Sequence, residues 1–245
     1  SKLRPLADGP PVDCLLASRF GVQQRVRSDG SVKLRVLDDE TASGLNPCCR
    51  PTERLRYDGI DQLIEVMRYI VVDMCADPEL FKADIDSAFR RVPIDPSHRW
   101  AAHAAFMHDG VTYSAQHYSM IFGTTAAGHA WDRVASFLAF LARRMLRIPL
   151  LKYVDDFFSA LRRGTASHAM SCFARLVRVL LADSAVAAHK LECGNPLVIL
   201  GLNVAPGRLS LSCAPDEVKR LRWLHRIDSA LDTCILGPTH SSKLA

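Results

Sequence analysis

The chain reads as an α+β protein built on an antiparallel sheet. Short apolar runs alternate with turn residues and cluster as hairpins, longer segments carry helical periodicity, and strict strand-helix-strand alternation is absent. With 49% hydrophobic residues over 245 positions, the sequence can fill a continuous core.

Residues 1 to 20 carry Pro5, Gly9, Pro10 and Pro11 between short apolar pieces and read as an irregular lead-in. Val26, Val32, Leu34 and Val36 flank Asp29-Gly30, which predicts a hairpin from Gln23 to Leu37 bearing Arg25, Arg27, Lys33 and Arg35. Residues 41 to 56, rich in Ser, Gly, Asn, Pro and Arg, read as a loop. Ile60, Leu63, Ile64, Met67 and Ile70 then recur at helical spacing. Phe81 to Asp86 is a short strand running into Ser87-Ala88-Phe89, and Trp100 to Gln116 is a hairpin turning at Asp109-Gly110. After Gly123 a long helix extends to about Met145, with Trp131, Val134, Leu138, Leu141 and Met145 on one stripe. Leu150 to Val154 and Phe157 to Ala160 are apolar strands flanking two aspartates. Ala166 to Ala182 is a helix, Leu197 to Val204 a buried strand and Leu209 to Leu211 a short one. A last helix begins at Pro215-Asp216-Glu217, where proline fits the first turn and the acids suit the positive helix end.

Composition narrows the function classes. A net charge of +5 suits a phosphate-rich partner. The eight cysteines are scattered, without a Cys-x-x-Cys pair or an export signal, which predicts reduced thiols in an intracellular compartment. No His-Glu-x-x-His spacing supports a zinc site. No apolar run approaches the ~20 residues that span a bilayer, so no membrane anchor is expected. Because it starts at Ser1 without a methionine, the chain reads as a piece of something longer.

The chemistry concentrates at Tyr153-Val154-Asp155-Asp156, two adjacent acids at the tip of a hydrophobic hairpin. Burying carboxylates is costly unless a cation or donors compensate them. Asp84 ends a second apolar strand, and carboxylates from two neighbouring strands can bridge divalent ions ~3.5 to 4 Å apart. Two such ions serve in-line phosphoryl transfer.

Asp84 with Ala88-Phe89, Phe122-Gly123 opening a long helix, Tyr153 to Asp156, Lys190, and Leu200-Gly201-Leu202 follow the order and approximate spacing of blocks in reverse transcriptases, which the chain resembles over residues 25 to 204. The resemblance implies a right-hand polymerase, with fingers and palm and a central antiparallel sheet. Residues 1–80 would be lead-in and fingers, 81–205 the palm with fingers elements around 98–120, and 206–245 the palm end and start of a thumb. It implies Asp84, Asp155 and Asp156 as catalytic carboxylates binding two Mg2+ ions, with Mn2+ as a substitute and the Ile85 carbonyl as an extra ligand. Phe89 matches a steric gate that would exclude a 2′-hydroxyl. Gly123, with Phe122, matches a glycine that lets the backbone approach the incoming base and template. Lys190 resembles a proton donor to pyrophosphate. Arg35, four residues before Asp39, matches a triphosphate-holding arginine, with Lys33 beside it and Arg27 as a second clamp.

The implied activity is templated DNA synthesis from deoxynucleoside triphosphates on a primed RNA or DNA template. The strings Asp38 to Asn46 and Ala88 to Asp95 further resemble polymerases of retrotransposons that integrate through a tyrosine recombinase. The alternative is a degenerate or truncated retroelement fragment that binds nucleic acid without polymerising. Among other palm enzymes, a nucleotide cyclase is opposed by Tyr153-Val154 ahead of the acids, and an RNA polymerase by Phe89.

Overall fold

A computed structural model of the chain describes residues 3–6, 13–26, 30–207, 210–215 and 217–233. The strands form three sheets, and the helices pack mainly on one of them, an α+β arrangement. That central sheet has the order β7-β8-β4-β9, built from Leu151–Tyr153, Asp156–Arg162, Pro78–Asp84 and Leu191–Gly194. Every pairing in it is antiparallel.

Both faces of the central sheet are covered, as its short apolar strands require. On one face Phe81, Ala83 and Phe157 pack with Trp131, Leu138, Phe173 and Val177. The last four come from helices α3 (Thr125–Met145) and α4 (Ala166–Leu181). On the other, Leu80, Phe158 and Ala160 meet Leu63, Met67 and Ile70 of α2 (Ile60–Val72) and the apolar side of β10 (Leu197–Ile199) and β11 (Leu202–Pro206). Side chains alternate along a strand, so Lys82 and Asp84 share the face of Leu80, at its open end.

The α3 stripe differs from the expected one. Ala127, Trp131, Ala135, Leu138, Ala139 and Ala142 are buried, whereas Met145 stands 69% exposed. The helix ends with Ile148 N–H donating to Ala142 O, which brings Ile148 and Leu150 into the core in its place. The alanines on that stripe let the helix lie close to the sheet.

A second sheet has the order β1-β6-β5-β2-β3. Its strands are β1 (Leu3–Pro5), β2 (Leu16–Val26), β3 (Val32–Asp38), β5 (His103–His108) and β6 (Val111–Gln116). The lead-in is therefore partly sheet: Pro5 sits in an edge strand, where a missing N–H is tolerated. The β2–β5 pairing is parallel, the one departure from an antiparallel pattern among the pairings described. Arg27 and the turn residues Ser28 and Asp29 lie outside the described residues.

Other expectations are corrected at turns. The loop at 41–56 contains a one-turn helix, α1 (Leu45–Cys48). Leu197 to Val204 is two strands, because Leu200 and Gly201 take φ of 49° and 79°, a left-handed pair that matches the twist of a two-residue hairpin. Pro215 ends β12 (Leu211–Pro215), which pairs with β11, and so is not in the last helix, α5 (Glu217–Thr233). Among the described residues no helix is long and apolar enough to cross a membrane, and seven cysteines form no disulfide.

Candidate active site

The acidic corner is built by register. Asp84, last in β4, lies opposite Asp156, first in β8, so both carboxylates leave the same face at the end of the central sheet. Between β7 and β8 only Val154 and Asp155 make the turn. Val154 has φ of 51°, an outlier for a β-branched residue that costs on the order of 1 to 3 kcal/mol. Two bonds hold it: the buried Trp131 donates from Nε1 to Val154 O at 2.7 Å, and Ile85 N–H donates to Asp155 O at 3.0 Å. Ile85 thus ties the ends of the two acidic strands together.

Its surroundings make this corner electrostatically demanding. Burial pushes the Asp155 carboxyl up and the Asp84 charge adds to that, against its own backbone N–H and the charges of Lys190 and Arg35. Asp156 is pushed up to about 6, first by burial and then by the Asp155 and Asp84 charges, with Lys82 and Lys190 opposing. Asp84 Oδ1 is buried without a hydrogen-bond partner. Its other oxygen accepts from Lys190 Nζ at 2.9 Å, and that ammonium also lies 3.3 Å from Asp86 Oδ1. Burial works against the Lys190 charge, but Asp84 and Asp86 outweigh it and raise its pKa.

Arg35 of β3 lies near enough for its charge to act on Asp155. Its guanidinium lies 5.4 Å over the Phe122 ring, and Phe122 meets Phe89 edge-on with centroids 5.2 Å apart. Lys33 is on the same face of β3, two residues nearer the hairpin tip, and exposed. A cavity of about 500 Å3 opens between Asp156, Tyr153 and the Leu200-Gly201 turn, with Lys82 on its wall.

Gly123 has φ of 101°, and a Cβ there would lie 3.0 Å from Asp38 O. Asn46 clamps the same point, donating from Nδ2 to Gly123 O at 2.8 Å and accepting Thr125 N–H at 2.8 Å. Gly123→Ala is expected to cost about 1 to 3 kcal/mol through the left-handed backbone alone, read as a Tm several degrees lower in thermal unfolding. An unchanged Tm would show that this loop does not need glycine.

The structure thus groups Asp84, Asp155, Asp156 and Lys190 at one corner, with the Arg35 charge acting on Asp155, while Arg35, Phe122 and Phe89 form a chain of ring contacts and Ile85 and Gly123 lie in supporting backbone. Sequence reasoning missed Trp131 and Asn46 as supports, and Asp86 as the second partner of Lys190. It also missed a cluster in which Arg19, Arg90 and His117 converge on the buried Asp38, next in sequence to Phe89 through Arg90. An isolated tryptophan on a helix and an aspartate closing a strand were the available signals. Among the described residues no group of three His, Cys, Asp or Glu side chains forms a ready metal cage. Magnesium does not require one, since it takes one or two carboxylates together with waters and substrate phosphates. The unpartnered Asp84 oxygen beside two carboxylates whose pKa values are raised fits a site that could take a cation in addition to the Lys190 ammonium.

No family model matches the chain, and no curated protein matches it. Among solved structures, the fold is similar to one described as a foamy viral protease-reverse transcriptase in complex with RNA/DNA hybrid. The two share 15% identity and superpose with a TM-score of 0.57 over 84% of this chain. The chain spans about a quarter, 24%, of that neighbour's length. At this identity the likeness is one of fold: the protein has, loosely, a reverse-transcriptase-like architecture.

Proposed function

We propose that this chain is the fingers and palm of an RNA-directed DNA polymerase, joining deoxynucleoside triphosphates to a primer 3′-hydroxyl on an RNA or DNA template. The observation that carries this reading is the corner where Asp84 and Asp156 pair across two strands, Asp155 lies in the turn that leads into the second of them and one buried carboxylate oxygen lacks a partner. The neighbour's RNA/DNA hybrid supports a nucleic-acid partner by analogy of fold.

In this reading Asp84 and Asp155 would hold two Mg2+ ions, with Asp156 and the Ile85 carbonyl nearby. Bound there, the ions would supply activation of the attacking oxygen and neutralisation of the leaving one. The Arg35 fork would grip the triphosphate oxygens, aimed by its stacking over Phe122. The Phe89 ring, braced edge-on by Phe122, would sit beneath the sugar and exclude a 2′-hydroxyl. Gly123 would let the backbone approach the base pair. Lys190 would donate to the departing pyrophosphate only after releasing Asp84, because its ion pairs make it a reluctant acid.

Primer extension with competing deoxy- and ribonucleotides tests the pocket directly. Phe89→Ala is expected to lower discrimination against ribonucleotides by about tenfold or more. Selectivity unchanged in that variant would remove the gate.

One observation favours a second reading, a retroelement fragment that binds nucleic acid without polymerising. Lys190 already places an ammonium on Asp84, where a metal would otherwise bind. Extension by the unaltered chain with magnesium decides between them, since the second reading allows none.

A further inference from the structure

Phe89 sits in a 3-10 turn, Ala88–Arg91, whose two arginines are anchored in opposite directions. Arg91 reaches the α4 side: Nε donates to Asp86 O at 3.1 Å, Nη2 to Ser184 O at 2.7 Å and Nη1 to Ser184 Oγ at 2.9 Å. Arg90 reaches the other sheet, where its Nη1 lies 2.9 Å from His117 Nδ1 and its Nη2 4.0 Å from Asp38 Oδ2. Ser87, at the entry of the turn, has φ of 54°, so the mount begins on strained backbone.

Asp38 is the hub of this cluster and only 6% exposed. Arg19 forks onto it, Nε to Oδ1 at 2.7 Å and Nη2 to Oδ2 at 3.0 Å, and His117 Nε2 lies 3.3 Å from Oδ2. Each ring nitrogen of His117 faces an arginine, Nε2 lying 2.8 Å from Arg19 Nη2. A neutral ring can accept from only one of the two arginines: with Nε2–H donating to Asp38, Nδ1 accepts from Arg90 and Arg19 is left to its fork on Asp38. Asp38 also closes β3, the strand of Arg35, and its carbonyl is the atom that crowds Gly123. One buried aspartate therefore joins the strand of Arg35, the approach to Gly123 through its carbonyl and the turn of Phe89 through its carboxylate.

We infer that Asp38 and His117 are positioning residues that seat Phe89, through Arg90, and so set sugar discrimination. This rests on the reading of Phe89 as the gate, but the seat can be measured without activity. His117→Phe keeps a ring and removes both nitrogens, whereas His117→Gln restores an acceptor for Arg90. The test is hydrogen exchange at the Arg90 and Val92 amides, which close the turn on Ser87 O and Phe89 O. In His117→Phe these amides should exchange about tenfold faster, with Ile85 N–H unchanged, and His117→Gln should recover part of the protection. In the extension assay His117→Phe should lose about tenfold in discrimination against ribonucleotides, again partly recovered by glutamine.

Unchanged exchange at Arg90 and Val92, or equal acceleration at Ile85, overturns the inference, the latter making His117 a general structural residue. If the two amides loosen while the unaltered protein extends no primer, the seat stands and the polymerase reading alone falls. If that protein extends primer but the amides do not respond, the inference alone falls.

Discussion

Asp155→Ala should lower magnesium-dependent primer extension on an RNA template by about a thousandfold or more, while leaving the folded protein intact. The size follows from what the carboxylate is asked to do: removing a group that holds charge where charge develops in the transition state forfeits on the order of 4 kcal/mol or more. Preservation of the fold follows from the local chemistry. The turn is held by Trp131 Nε1 on Val154 O and by Ile85 N–H on Asp155 O, both bonds to backbone that alanine retains. Burial, and then the Asp84 charge, push the Asp155 carboxyl up, so its removal relieves a burden. The measurement pairs extension with thermal unfolding of the same samples. Extension by both proteins, or by neither, would refute Asp155 as a ligand in an active enzyme.

The two acidic strands were legible because burial leaves a direct trace in sequence. Leu80 to Ala83 and Phe157 to Ala160 place apolar residues on both faces, and a carboxylate at the end of such a strand is costly enough to demand a reason. The α2 span followed from its periodicity and the start of α3 from Gly123, after which the structure adds a cap: the Thr124 side chain accepts Ala127 N–H. What stayed hidden depends on contacts between distant residues. The Arg19, Asp38, Arg90 and His117 cluster joins positions 19, 79 and 98 residues apart, given 38 − 19, 117 − 38 and 117 − 19. It forms only once β2 and β5 pair in parallel, and no local pattern of charge or spacing encodes that pairing. Lys190 was visible as a lone lysine, but its pairing with Asp84 depends on β9 docking beside β4, and β9 is four residues of mixed polarity. Leu200-Gly201 illustrates the reverse failure: apolar residues ran through the turn, so a hairpin read as one strand.

Asp156→Asn should lose activity and gain stability together, and the gain should depend on pH. Asp156 is pushed up to about 6 in the folded protein, against about 3.9 for an unfolded aspartate. The folded chain therefore binds more protons than the unfolded one between those values, and the native state is penalised increasingly as pH rises through that window. Above pH 7 the penalty is complete, at most about 3 kcal/mol and about 2 once partial exposure is allowed for. Asparagine carries no such charge. The stability difference between Asp156→Asn and the unaltered protein, measured by urea unfolding without divalent metal, should be largest near pH 7.5, about half as large at pH 5 and small at pH 4. Taking the difference matters, because burial lowers the pKa of His103, which works in the opposite sense over the same range but cancels between the two proteins. The Asp38 carboxyl is held well below the usual range, its bonds from His117 and Arg19 outweighing burial. Its stabilising contribution is thus lost only at more acidic pH and leaves the window clear. Extension should fall by about a hundredfold in the same variant, as expected of a charge kept for function at the expense of stability. A stability difference that is flat from pH 4 to 7.5 would show that Asp156 is not held in this charged, buried corner, and the case for a metal-binding set of three aspartates would fail with it.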